Sequence, residues 1–207
     1  MSKKRKPKIT KRRTDFRYNE IDDRSILEDI LSFLSTFLIC GLVIVIVSYF
    51  VIKPATVSGR SMQPTLEDGQ RGFSNIIALM QEGIERQDIV LAKVKTEKGN
   101  DATVVKRVIG LPGETIECKD EVIYIDGEVL DESEYLDTSF KEDWYETNGY
   151  FNTDFEEVTL DYDEYFLMGD NRPISLDSRD IGPFKEAKII AKDFCVLFPF
   201  ADITYYE

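Results

Sequence analysis

The chain of 207 residues carries 26 Lys and Arg, 39 Asp and Glu, three Cys and no His. Without imidazole, Ser-His-Asp and Cys-His mechanisms and His-ligated metal sites are excluded, so a general base has to be Lys, Asp, Glu or Tyr. Three Cys with no CxxC spacing signal neither a disulfide framework nor a thiolate zinc site. Cys40, Cys118 and Cys195 read as packing residues, and no metal or cofactor is expected.

Charge is unevenly distributed. Residues 1–52 hold 10 basic and 6 acidic side chains, and residues 53–207 hold 16 and 33. A body that acidic repels phosphate, so no nucleic-acid partner is expected. The N-terminal excess comes from Lys3, Lys4, Arg5, Lys6, Lys8, Lys11, Arg12 and Arg13. From Leu31 to Ile52 the chain then runs 22 residues without a charge, about 33 Å of helix against a hydrocarbon core of ~30 Å. Tyr49 and Phe50 stand near one end, as interfacial anchors do. The spacing predicts a basic cytoplasmic tail over 1–30, a transmembrane helix over 31–52, and residues 53–207 outside the membrane. A cleavable signal sequence is the rival reading. It calls for an apolar core of about 7–15 residues, shorter than this one, and Pro54-Ala55-Thr56 is a weak cleavage site.

Beyond Pro54 the texture is β. Residues 103–111, TVVKRVIGL, are rich in β-branched side chains. Residues 114–130 alternate apolar and polar around an Asp126-Gly127 turn, which predicts a hairpin. EYFLMGD (164–170) reads as a short strand entering a polar loop, and 188–200 as a closing strand pair. Helical spacing appears over 74–86, weakened by Gly83. Residues 131–163 are acidic and aromatic, with Trp144, Tyr135, Tyr145, Tyr150 and Tyr162, and read as a surface insertion whose rings pack locally. The expected fold is all-β with a smaller inserted subdomain.

Three segments are candidates for the chemistry. In Ser58-Gly59-Arg60-Ser61-Met62-Gln63-Pro64-Thr65-Leu66, Gly and Pro bracket Ser61, which suits a nucleophile displayed on a constrained turn. In Val104-Val105-Lys106-Arg107-Val108-Ile109-Gly110, a lysine sits within a β-branched run. Facing the core, Lys106 would lose charge and become an amine base; facing solvent, it and Arg107 would be ordinary surface cations. Alternation alone does not decide between these. In Gly169-Asp170-Asn171-Arg172-Pro173-Ile174-Ser175-Leu176-Asp177-Ser178-Arg179, two Asp and two Arg are placed to lock a loop by charge-assisted hydrogen bonds.

Taken in order behind one N-terminal anchor, SGRSMQPTL, KRVIGLPGE and GDNRPISLDSR resemble bacterial type I signal peptidases of the Gram-positive kind, over roughly residues 30–200. The resemblance implies a membrane-bound serine endopeptidase with a Ser-Lys dyad that removes signal peptides from exported preproteins, beside the lipid bilayer and the secretion translocon. It implies two antiparallel β-sheet domains: a catalytic core over 53–114 and 162–207, and an insertion over 115–161. Carried over by motif, Ser61 is the nucleophile, Lys106 the general base and Ser175 the hydroxyl that orients the lysine. Asp170, Arg172, Asp177 and Arg179 hold the site together, and Val57, Met62, Leu66 and Val105 line shallow pockets for small side chains at P1 and P3. The position where some relatives carry a second oxyanion-hole hydroxyl is Gly59 here, which leaves that donor open.

Three other readings fit parts of the sequence. A self-cleaving Ser-Lys repressor would need a DNA-binding head in place of Leu31–Ile52. A non-catalytic signal-peptidase-like chaperone of surface-fibre (pilus) assembly would be expected to lack Ser61 or Lys106. An adhesive anchored β-domain would have no use for all three motifs.

Overall fold

A computed structural model of the chain describes residues 23–96 and 98–206. The basic cluster at Lys3–Arg13 therefore lies outside the described residues. Helix α1 spans Asp23–Phe50, starting ahead of the uncharged stretch and ending just before Ile52. From Ile26 to Phe50 it is apolar enough to cross a membrane, with a mean hydropathy of 2.8 in its most apolar window.

After α1 the described residues hold twelve strands in two sheets. Strands β1 (Ile52–Thr56), β2 (Arg71–Asn75), β3 (Ile89–Lys95) and β4 (Asp101–Gly110) belong to the larger sheet. Its later members are β9 (Glu164–Met168), β10 (Phe184–Lys185), β11 (Ile189–Phe198) and β12 (Thr204–Tyr206). Their order is β1-β2-β11-β3-β4-β9-β10, with β12 paired to β11. The smaller sheet, ordered β7-β6-β5-β8, uses β5 (Thr115–Lys119), β6 (Val122–Ile125), β7 (Glu128–Val129) and β8 (Phe155–Thr159). Every pairing is antiparallel.

The apolar pattern explains the layering. In β3, Ile89 and Leu91 enter one buried cluster with Val57, Met62, Leu66, Ala191, Phe194 and Val196. Val90 and Ala92 enter a second, with Val108, Leu167, Phe184 and Ile189. The strand is thus buried on both faces, which is why it reads as an unbroken apolar run rather than an alternating one. A third cluster joins Ile109, Phe166 and Met168 of the larger sheet to Ile116, Cys118 and Ile123 of the smaller.

The Asp126-Gly127 hairpin forms as expected, with φ of 53° and 81° at its two turn residues. A second two-residue turn, Asp120-Glu121, precedes it, also with positive φ at both positions. No glycine marks it; the Asp154 carboxylate holds it by accepting the N–H groups of Asp120 (3.1 Å) and Glu121 (2.9 Å). Residues 188–200 do not form a strand pair. Most of the segment is the single strand β11, kinked where Asp193 takes φ 58°, and its antiparallel partner β12 comes only after residue 200. Helix α2 (Ile76–Glu82) is capped by Asn75, whose side chain accepts the Ala78 N–H, and it stops at Gly83.

The acidic-aromatic stretch holds a helix that its composition hid, α3 (Thr138–Asn148). Asp137 caps its start by accepting the Phe140 N–H, and Gly149 ends it in the left-handed conformation. Phe140 packs near Trp144 and Phe151, with ring centroids 6.5 and 6.3 Å away. Local ring packing therefore holds for part of this stretch, but Tyr135 turns elsewhere.

Candidate active site

Ser61 sits in the loop between β1 and β2. The base of that loop is closed by Val57 N–H to Gln70 O (2.8 Å) and Gly69 N–H to Val57 O (3.0 Å). Met62 and Leu66, both buried, anchor the loop in the first cluster. Gly59 has φ +90°, a conformation that side-chain-bearing residues rarely adopt, and its N–H donates to Asp68 Oδ1 at 2.7 Å. Over residues 58–68, the N–H groups that bond within the protein are those of Gly59, Gln63, Leu66 and Glu67; the Ser61 N–H is not among them. A half-exposed serine with an uncommitted amide is suited to receive an oxyanion.

Lys106 approaches from β4. It shares a strand face with Val104 and Val108, lies opposite Val90, and is only 3% exposed. Its Nζ donates to Ser175 Oγ at 2.8 Å. Burial is the largest influence on the ammonium and, with the nearby Arg179 charge, brings its pKa down to about 8, while Asp177 and Asp170 pull the other way. The choice that alternation left open is settled: Lys106 and Arg107 are both buried, on opposite faces of the strand.

Gly169 is where the Ser61 loop and Ser175 come together. A Cβ placed on it would lie 2.3 Å from both Ser175 Oγ and the Ser61 carbonyl oxygen. Those two oxygens are therefore within twice that distance of each other. The Ser61 carbonyl also accepts the Asn171 N–H at 3.1 Å, which ties the Ser61 loop to the loop after β9.

Two carboxylates brace that loop. Asp177, fully buried, accepts Gly169 N–H (3.0 Å) on one oxygen, and contacts Arg179 through Nε (2.9 Å) and Nη2 (2.9 Å). Burial opposes its charge, but Arg179 and the Gly169 amide outweigh it and hold the carboxyl below its usual range. Asp177 also caps the one-turn helix α4 (Ser178–Ile181). Arg179 reaches on to the Arg172 carbonyl (2.7 Å) and to Asn152 (3.2 Å).

Asp170, also fully buried, does not pair with Arg172. It is gripped by Arg107 through Nε (2.9 Å) and Nη2 (2.7 Å), and by the Thr65 hydroxyl (2.6 Å). Arg172 instead donates to the Gly169 carbonyl (3.1 Å) and pairs with Glu132 at 2.5 Å. Arg107, Thr65, Gly169, Asn171 and Glu132 were not singled out from the sequence. Only Arg107 left a signal there, as a second cation in an apolar strand.

Val57, Met62, Leu66 and Val105 all belong to the first cluster. Three of them are buried; Val105 alone is partly exposed. No group of three or more Cys, Asp or Glu able to hold a metal occurs among the described residues.

Residues 30–198 match the family model described as signal peptidase, peptidase S26. A relative in Bacillus subtilis subsp. natto, signal peptidase I P, is 34% identical over 86% of this chain and 94% of its own length. Signal peptidase IB of Staphylococcus aureus is 31% identical over 86% of this chain and 94% of its own. A crystal structure of a signal peptidase I from Enterococcus faecalis aligns with a TM-score of 0.41 at 31% identity, covering 53% of this chain and 95% of that one.

Proposed function

The chain belongs to the signal peptidase family, peptidase S26, and from that premise we propose that Ser61 is its nucleophile and Lys106 its general base. It is a serine endopeptidase that removes signal peptides from preproteins. Neutral Lys106 takes the Ser61 proton, and Ser61 Oγ attacks the scissile carbonyl carbon. The oxyanion is received by the Ser61 N–H; collapse expels the mature chain's amine, which accepts from Lys106 the proton that Ser61 gave up. Water deprotonated by Lys106 then hydrolyses the acyl-enzyme. Ser175 fixes the direction of the lysine amine, and the pairs around Asp177 and Asp170 keep Ser175 and Ser61 in register.

The observation that carries this assignment is the buried Lys106–Ser175 hydrogen bond beside the Gly169 contact with Ser61. On an Ala-x-Ala peptide, Ser61→Ala and Lys106→Met should each abolish cleavage. The double variant should be no worse than either, since the two groups act as one unit. Substantial cleavage by folded Lys106→Met would move the base to another residue.

Val105, the partly exposed member of the set, is the residue placed to meet the small side chains at P1 and P3, while Val57, Met62 and Leu66 pack behind it in the first cluster. A P1 Ala→Leu peptide should be cleaved about tenfold more slowly. Residues 53–114 with 162–207 serve as the catalytic core and 115–161 as its insertion, a division supported by the membership of the two sheets.

The apolar helix anchors the enzyme in the membrane, and the basic tail favours a cytoplasmic N-terminus with the catalytic body outside, beside the bilayer and the secretion translocon. External protease added to intact protoplasts should digest the body and spare the tail; the reverse pattern would invert the topology.

A further inference from the structure

We propose that Tyr135 and Glu132, from the segment between β7 and α3, are positioning residues for the Lys106–Ser175 pair. The proposal rests on the assignment of Lys106 as base and adds to it two residues that lie outside all three sequence motifs.

Tyr135 touches both arginines of the site. Its ring lies under the Arg107 guanidinium, 4.6 Å from centroid to carbon. Its hydroxyl accepts from Arg172 Nη2 at 3.1 Å and donates to Glu132 Oε1 at 2.8 Å. Glu132 completes the triangle by pairing with Arg172 at 2.5 Å. The two residues are three apart in a turn closed by Leu136 N–H to Glu132 O (2.9 Å), so they present side by side. Leu136, buried, anchors that turn.

Each arginine leads directly to the dyad. Arg107 follows Lys106 in β4 and grips Asp170, which also holds Thr65 of the nucleophile loop. Arg172 is fully buried, binds the Gly169 carbonyl, and lies three residues before Ser175. One aromatic side chain from the insertion therefore bears on the strand that carries the base and on the loop that carries its orienting hydroxyl. An arginine buried this deeply needs a counter-charge, and Glu132 is its ion-pair partner. Removing that charge, or the ring, loosens the loop over Lys106 and admits water to the amine. A rehydrated ammonium is favoured over the amine, so the base becomes harder to deprotonate.

The test is the pH dependence of kcat/KM for the full-length enzyme on an Ala-x-Ala peptide, with folding checked by circular dichroism. Tyr135→Leu and Glu132→Gln should each move the acid limb up by about one unit. That predicts about tenfold less activity at pH 7, converging to within about twofold of the parent near pH 10, with the loss in kcat rather than KM. Tyr135→Phe, which keeps the ring over Arg107, should fall between parent and Tyr135→Leu. Glu132→Gln conserves size and serves if Tyr135→Leu fails to fold. Folded variants whose acid limb is unmoved, whether activity falls uniformly with pH or stays at the parent level, would overturn the proposal. Failure of the base assignment shows separately, as activity remaining in Lys106→Met.

Discussion

Asp170 takes its arginine from Arg107, 63 residues away in β4, and none from Arg172, its neighbour two positions along the same loop. The spacing of the motif suggested two local Asp-Arg locks. One is local, Asp177 with Arg179, whereas the other ties β4 to the loop after β9. The strand that holds Lys106 and the loop that holds Ser175 are thereby fixed by the same bidentate contact.

The pH–rate profile should report the buried amine. Lys106 must be neutral to accept a proton, and its pKa is lowered to about 8 by burial. Activity should therefore fall about tenfold per pH unit below that value and level off above it. An acid limb near 10.4, the value for an exposed lysine, would mean that Lys106 is solvated during turnover.

The same lysine should burden the fold. Its pKa is below the unfolded value of 10.5, so the unfolded chain binds more protons between about pH 8 and 10.5. Stability should rise with pH across that window, and below it the penalty is present in full. Lys106→Met, inactive, should unfold about 1–3 kcal/mol less readily than the parent at pH 7, an advantage that shrinks towards pH 10.5. Urea titrations at the two pH values measure it; a less stable Met variant at pH 7 would contradict it.

Gly169→Ala should separate activity from folding. The added methyl would meet Ser175 Oγ and the Ser61 carbonyl at 2.3 Å, so both must move apart. Misplacement of reacting groups on that scale costs about 10² in rate. We expect kcat/KM to fall by at least that factor while circular dichroism stays native. Parent-like kcat/KM would show that the loops yield without disturbing the dyad.

Asp177→Asn should be severely destabilising. The amide would turn an N–H2 group toward the Gly169 amide or toward Arg179, and leave the buried arginine uncompensated. Breaking such a pair costs about 3–5 kcal/mol. Because the folded pKa of Asp177 is depressed, its contribution holds above the ordinary carboxylate range and is lost as pH falls through the folded value. Unfolding midpoints of parent and variant should thus differ widely at pH 7 and approach each other in acid.

β4, the hairpin around Asp126-Gly127 and β9 were legible in the sequence because apolar runs and turn residues mark them, whereas β1, β2, β3 and β8 were not singled out. The Asp120-Glu121 turn was not, because the carboxylate that stabilises its left-handed backbone, Asp154, lies more than thirty residues away. Helix α3 was hidden because it buries none of its residues, and so lacks an apolar stripe. At the site, Ser61, Lys106 and Ser175 were located by motif, and the resemblance already implied that Ser175 orients the lysine; the residues alone carry no signal of that contact, which depends on how the loop after β9 meets β4. Arg107, Glu132 and Tyr135 act through partners distant in sequence, and no local spacing encodes such pairs.

The third hydrophobic cluster places Ile109, Phe166 and Met168 in one interior with Ile116, Cys118 and Ile123. The smaller sheet is consequently no detachable cassette. Excising it would strip the inner wall from β4 and β9, the strands that deliver Lys106 and the Gly169–Arg179 loop, so a trimmed protease could not hold Lys106 and Ser175 in place. The larger sheet and the insertion should melt as one cooperative body, with catalytic competence and the integrity of the insertion lost together.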